Sequence, residues 1–265
     1  MAPRRRAASS PLSDLIDQPV KKSKSNGKGK HEPTDEFQQV TLPSFVSRWK
    51  VDGMGYGGDV YYQPEFIAVD EAQQWYDDLM RLDTYQPTLK IYGRTFPQSR
   101  RIAAYSTTSN ATLSYSGSAI TMHHPFPPVL ERIRIRLEEE LEVKFNHVML
   151  NRYDDGGVYI GKHSDNLNNL VIASVSLGAE RTFIMSPRLP SKTGSRNKSS
   201  PFEVGSQSAE QIEKELNGRK NMKWTLGNGS LVVMQGRTQE FWKHEIPKEP
   251  KVKKGRISLT FRQLV

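Results

Sequence analysis

The chain has 265 residues, 35% of them hydrophobic, and a formal net charge of +9. That length holds one catalytic-sized domain with appendages, and the low apolar fraction predicts that part of the chain stays unfolded. It contains no cysteine, which excludes disulfides, thiolate metal sites and cysteine nucleophiles; with no apolar run of ~18 residues and no signal-peptide pattern, a soluble intracellular protein is expected.

Residues 1–35 read as a disordered tail rich in Ser, Pro, Gly, Lys and Arg. Up to His31, eight Lys and Arg against two Asp leave it six positive charges, most of the chain's excess. Such a cluster suits a nuclear-localisation signal, and so a place in the nucleus, or a nucleic-acid arm; a merely solubilising tail is the other reading. From Glu36 to Tyr62 the sequence is mixed, and Gly53, Gly55, Gly57 and Gly58 mark a loop. Phe66 to Leu82 has apolar spacing near 3.6, with Asp70 as the expected helix cap and Gln73 three residues on. Trp75, Leu79 and Leu82 belong to its core face.

Lys90 to Arg101 mixes basic residues with aromatics beside glycine, a mixture suited to stacking on bases and touching phosphates; an ordinary twisted surface hairpin is the alternative. A second helix is expected from Pro128 to Leu141. Pro127 and Pro128 suit its start, and Val129, Ile133, Leu137 and Leu141 recur every four residues. Its Glu and Arg residues read as a solvated face, and the two helices should brace one side of a sheet.

Beyond this the chain is strand-like. Val148–Tyr153, Val171–Leu177, Thr182–Met185, Ser230–Gln235, Phe241–Ile246 and Arg256–Arg262 are short, β-branched or aromatic, and punctuated by Gly, Asn or Pro. The fold class is therefore mostly β with flanking helices, a jelly roll whose inward side chains surround a pocket. Residues 186–224 form an insertion between strands, a surface loop with one short helical stretch from Ala209 to Leu216; its Arg188, Lys192, Arg196 and Lys198 can reach a nucleic-acid backbone.

Chemistry concentrates in Asn151 to Asp165. His163 and Asp165 are two apart, so in an extended segment their side chains leave one face. With His244 from another strand they make two imidazoles and one carboxylate, the facial set that binds non-haem Fe(II) and leaves positions open. Twelve residues after His244 begins an alternating strand with Arg256, Ser258, Thr260 and Arg262 on one face and Ile257, Leu259 and Phe261 on the other. Each guanidinium on that half-buried strand can grip a carboxylate by two parallel hydrogen bonds. Asn151 and Tyr153 likewise share a face.

Asn-x-Tyr, His-x-Asp, a distal His and Arg-x-Ser-x-Thr-x-Arg, in this order, resemble the AlkB family of Fe(II)/2-oxoglutarate dioxygenases, and its eukaryotic DNA-repair members in particular. The likeness covers residues 88 to 265 and includes Ser174 to Phe183. It implies a double-stranded β-helix over 36–265 with nucleotide-recognition hairpins at 88–125. It implies that His163, Asp165 and His244 hold iron as the catalytic set. Arg256 would then hold the distal carboxylate of 2-oxoglutarate, with Arg262 near its 1-carboxylate and Asn151 and Tyr153 orienting it. Tyr92 takes the position of a wedge that fills the gap left by a flipped base, in a turn with Gly93 and Arg94. Arg100 takes a matching basic position and Tyr115 that of the aromatic stacking on the substrate base. The implied reaction consumes molecular oxygen and 2-oxoglutarate and releases succinate, CO2 and formaldehyde. The implied substrates are alkylated bases such as 1-methyladenine and 3-methylcytosine in DNA, met by base flipping or in single strands. A monomer is expected. Asn166-Leu167-Asn168-Asn169 departs from the pattern, since the repair enzymes carry acidic residues there. Two other readings stay open: an RNA demethylase of the same family, and a nucleic-acid-binding jelly roll without turnover.

Overall fold

The computed structural model describes residues 44–91, 94–115, 118–165, 169–188 and 209–264. The expected tail at 1–35 lies outside them. A 3-10 helix at Ser44–Trp49 leads to β1 (Val60–Gln63), helix α1 (Val69–Met80), β2 (Thr88–Ile91), β3 (Arg94–Pro97), β4 (Arg101–Ser106), β5 (Thr112–Tyr115) and β6 (Ser118–Thr121). Helix α2 (Pro128–Leu141) precedes β7 (His147–Tyr153), β8 (Ile160–His163), β9 (Asn169–Gly178) and β10 (Arg181–Pro187). The chain ends with α3 (Ala209–Gly218), β11 (Met222–Leu226), β12 (Ser230–Gln235), the short α4 (Thr238–Phe241), β13 (Trp242–Ile246) and β14 (Arg256–Leu264). Within the 186–224 stretch, α3 and the start of β11 are described, whereas residues 189–208 lie outside the described residues.

The protein is mostly β, with few helices and antiparallel sheets. The larger sheet runs β1-β12-β9-β14-β7-β4 and the smaller β11-β10-β13-β8, with β2-β3 and β5-β6 as separate hairpins. The alternation of strand side chains divides the larger sheet cleanly. Val148, Leu150, Val175, Ile257, Leu259 and Phe261 pack on Trp75 and Leu79 of α1 and on Ile133 and Leu137 of α2. The other face of the same sheet meets the smaller one, where Ile172, Val232 and Met234 pack with Phe183, Met185, Leu226, Trp242 and Ile246. Both helices thus brace one side of a sheet, as their spacing predicts.

Four expectations change. Asp70 does not cap α1: Ala72 N–H already bonds Ala68 O at 2.8 Å, so the first turn closes earlier and Asp70 sits inside it, favourably placed for the helix dipole. Glu138 of α2 is buried rather than solvated, and it accepts hydrogen bonds from Arg134, Lys144 and the Phe145 N–H. Phe241 ends α4 instead of starting a strand, its ring edge-on to Tyr56 at 4.9 Å. Strand β14 is buried on both faces, because its polar face looks into a cavity and not into solvent.

The loop between β7 and β8 is clamped from below. Arg181, 1% exposed, donates to Glu249 Oε2 at 2.9 Å and to the carbonyls of Asp155, Val158 and Pro247. Gly156 N–H donates to Val252 O at 2.9 Å and Glu249 N–H to Gly156 O at 2.7 Å. A Cβ on Gly156 would stand 1.9 Å from Glu249 O, so only glycine fits there. We expect Gly156→Ala to lower stability by about 1–3 kcal/mol, read as a fall in the denaturant midpoint.

Candidate active site

β8 and β13 pair so that His163 stands directly opposite His244, with ring centroids 4.3 Å apart. Asp165 reaches them differently from the sequence expectation. β8 ends at His163, so Asp165 lies beyond the strand and strand alternation does not aim it. Its amide donates to Gln239 Oε1 at 2.8 Å, and Ser164 Oγ donates to Trp242 O at 2.7 Å. Its carboxylate accepts Arg262 Nη2 on Oδ1 at 2.8 Å, which leaves Oδ2 facing His244 Nε2 at 3.9 Å. One donor atom from each of His163, Asp165 and His244 lies within 4.8 Å of the others.

The electrostatics suit a cation. Burial first, then the neighbouring His163, pushes His244 down to about 3, and burial also lowers His163. Both imidazoles are therefore neutral near pH 7, the form that binds metal. His163 Nδ1 lies 2.9 Å from Gly161 O, which places its proton there and leaves Nε2 with a free lone pair. Burial acts to raise the Asp165 carboxyl, but Arg262, His244 and His163 outweigh it and hold it well below the usual range. Two neutral imidazoles and an ionised carboxylate, with no other protein donor in the group, form a set that fits Fe(II) and leaves positions for other ligands.

The same cavity, of about 260 Å³, continues along β14 and β7. Arg256 is 2% exposed; Nη2 donates to Ser176 Oγ at 2.8 Å, whereas Nε and Nη1 have no hydrogen-bond partner. Its guanidinium lies 5.0 Å over the Tyr153 ring, and no carboxylate forms an ion pair with it among the described residues. Burial lowers its pKa. A buried cation with orphaned donors and no directly paired carboxylate among the described residues is costly, and an incoming carboxylate would satisfy both deficits. Asn151 Oδ1 accepts from Arg100 Nε at 2.7 Å on the facing wall.

Asn151, Tyr153, His163, Asp165, His244, Arg256 and Arg262 are thus brought to one cavity. Arg100 joins them, 8% exposed in the cavity wall and not on the open face of a hairpin. Tyr92 and Gly93 lie outside the described residues, as do residues 166–168 of the departing segment. Arg94 opens β3 and Tyr115 closes β5, and only their backbone positions are described. Three further residues support this set: Ser176, His147 and Gln239. Ser176 lies on the alternation that leads from Ser174, and was legible there. His147 shares its face with Met149 and Asn151, and Arg262 Nη1 stands 3.3 Å from its Nε2. Gln239 had no signal, since its role depends on where α4 sits.

Residues 59–262 match the family described as the 2OG-Fe(II) oxygenase superfamily. The chain belongs to that superfamily, in its AlkB family. It is 31% identical over 225 residues to the DNA oxidative demethylase ALKBH2 of Arabidopsis thaliana, covering 82% of this chain and 69% of that one. Against the human DNA oxidative demethylase ALKBH2 it is 33% identical over 182 residues, covering 67% of this chain and 61% of the relative. Against the human alpha-ketoglutarate-dependent dioxygenase alkB homolog 3 it is 35% identical over 207 residues, covering 75% and 64%. The chain therefore spans less than two thirds of these two human relatives. As an AlkB-type dioxygenase it uses Fe(II) and 2-oxoglutarate, and the His-x-Asp and distal His of the family are His163, Asp165 and His244.

Burial, then Arg262, also pushes His147 down to about 3, like His244. Between pH 6.5 and about 3 the unfolded chain binds protons at both histidines and the folded chain does not. Stability of the metal-free protein should therefore fall as pH drops through that window, by up to roughly 2.7 kcal/mol per pH unit, measured as denaturant midpoint against pH. Gln239→Leu should weaken Mn(II) binding to the metal-free protein by about tenfold, through loss of the bond that fixes Asp165; titration of the free ion by electron paramagnetic resonance measures it.

Proposed function

We propose that this dioxygenase removes N-linked methyl groups from DNA bases such as 1-methyladenine and 3-methylcytosine, releasing formaldehyde. The observation that carries the reading is one cavity with a His163–Asp165–His244 donor set and a buried, partly unsatisfied Arg256 in its walls. The names of the relatives, DNA oxidative demethylases among them, support the choice of substrate.

In this reading Arg256 binds the distal carboxylate of 2-oxoglutarate through its orphaned donors, and the Tyr153 ring, 5.0 Å from the guanidinium carbon, helps hold it in place. Arg262, already on Asp165, lies beside the 1-carboxylate and keeps Oδ1 occupied, so that Oδ2 is the oxygen left for metal. Asn151 and Tyr153 orient the cosubstrate. Met149, Phe183, Leu226 and Met234 give the cavity apolar walls that exclude water. Fe(II) and 2-oxoglutarate, when bound, would let molecular oxygen hydroxylate the methyl group: one oxygen atom goes to the methyl carbon and the other to the succinate formed as CO2 leaves. The hydroxylated methyl group then leaves as formaldehyde without a nucleophile from the protein. A stacked base cannot reach so enclosed a site, so the base is flipped out or taken from a single strand. The two large sheets act as the jelly roll of the family, within a catalytic domain at 36–265, and the hairpins β2-β3 and β5-β6 act in nucleotide recognition, with Tyr92, Gly93, Arg94 and Tyr115 as their contacts and Arg100 meeting the nucleotide from the cavity wall. The basic residues of the N-terminal tail favour a nuclear location.

The test is demethylation of 1-methyladenine and 3-methylcytosine in duplex DNA, single-stranded DNA and RNA, with Fe(II), ascorbate and 2-oxoglutarate. We expect formaldehyde and the unmodified base from DNA. Turnover of RNA with neither DNA form repaired would overturn the DNA assignment.

A further inference from the structure

Five large apolar side chains are exposed among the described residues: Val69, Tyr85, Phe96, Ile135 and Tyr159. The two aliphatic ones belong to α1 and α2, behind the larger sheet. The three aromatic ones are all tied to one short segment, residues 96–102. Phe96 is part of it, on β3. Tyr85 exchanges two backbone hydrogen bonds with Ile102, at 3.0 and 2.8 Å. Tyr159 exchanges two with Ser99: Ser99 Oγ donates to Tyr159 O at 2.6 Å, and Tyr159 N–H donates to Ser99 Oγ at 3.3 Å.

This segment is a wall of the active site. Gln98 and Arg100 line the cavity on either side of Ser99, and Ile160 lines it next to Tyr159. β4 and β8 are edge strands of the larger and smaller sheets, and the Ser99–Tyr159 pair links the segments that enter them. On the other side the sheets are joined by Tyr62 OH, which donates to Thr225 O at 2.6 Å. The segments that carry the exposed rings therefore meet at the rim between the two sheet edges. Lys248 Nζ stands 4.7 Å from the centroid of the Tyr159 ring and adds a cation at the same place.

We propose that Tyr85, Phe96 and Tyr159 form a stacking rim for unpaired bases next to the base held in the cavity, in a single-stranded stretch of nucleic acid, with Lys248 meeting an adjoining phosphate. Aromatic rings accept the π-face of any base, so the rim holds the strand without reading its sequence. The proposal rests on the nucleic-acid reading above, and its test measures binding instead of demethylation.

The experiment is fluorescence anisotropy of the full chain with a labelled strand of about twelve thymidines, and with an abasic sugar-phosphate strand of equal length and charge. A uridine RNA strand forms a further arm and shows whether the sugar matters. We expect the wild type to bind base-containing strands more tightly than the abasic one. Tyr159→Ala should lose on the order of tenfold on base-containing strands, but not on the abasic one, and Tyr159→Phe should restore it. Phe96→Ala should act in the same direction. A wild type without preference for bases would overturn the proposal. So would a Tyr159→Ala protein that binds the thymidine strand like wild type, or one that loses equally on both strands. A protein that prefers base-containing strands but repairs no methylated base would keep the rim and sink the demethylase reading.

Discussion

Asp165 stands off the end of its strand, its amide held by Gln239 and its carboxylate by the guanidinium of Arg262. The Arg262–Asp165 pair is only about a tenth exposed on either side, so neither charge is solvated well enough to stand alone. Paired, they do two things. The carboxylate stays ionised beside two neutral imidazoles, and one of its oxygens is taken, which leaves the other for a cation. The position of β14 beside β7 and β9 makes this possible, because it carries Arg262 across the sheet to the end of β8.

The larger sheet is core on one face and active site on the other. Ile257, Leu259 and Phe261 anchor β14 to the helices, while Arg256, Ser258, Thr260 and Arg262 of the same strand line the cavity. The close-packed back face holds in place a strand whose other face carries the partly unsatisfied Arg256. That guanidinium is a local cost to the folded state, offset when a carboxylate is bound.

Supports outside the cavity aim the ligands within it. Arg181, Glu249 and Gly156 fix the loop that feeds β8, and so the direction in which His163 leaves it. Arg219 does the same for β13: it is 9% exposed and donates to the carbonyls of Leu216, Arg188 and Phe241, the last at 2.7 Å and just ahead of Trp242. Both arginines satisfy backbone oxygens where loops pass beneath strands, a task suited to their five fixed donors.

The order of amino acids alone sets the strand periodicity of β7, β9, β12 and β14, the helix faces of α1 and α2, and the spacing of His163, Asp165, His244, Arg256 and Arg262. These are local patterns, or patterns of residue type and spacing, so they can be read without knowing what lies across the sheet. It could not determine that Asp165 is aimed by Gln239 and Arg262, that Glu138 and His147 are buried, or that the polar face of β14 meets a cavity and not water. An alternating strand looks the same in sequence whether its polar side faces solvent or an enclosed site. Only the second sheet, brought over it by contacts between residues far apart along the chain, decides which.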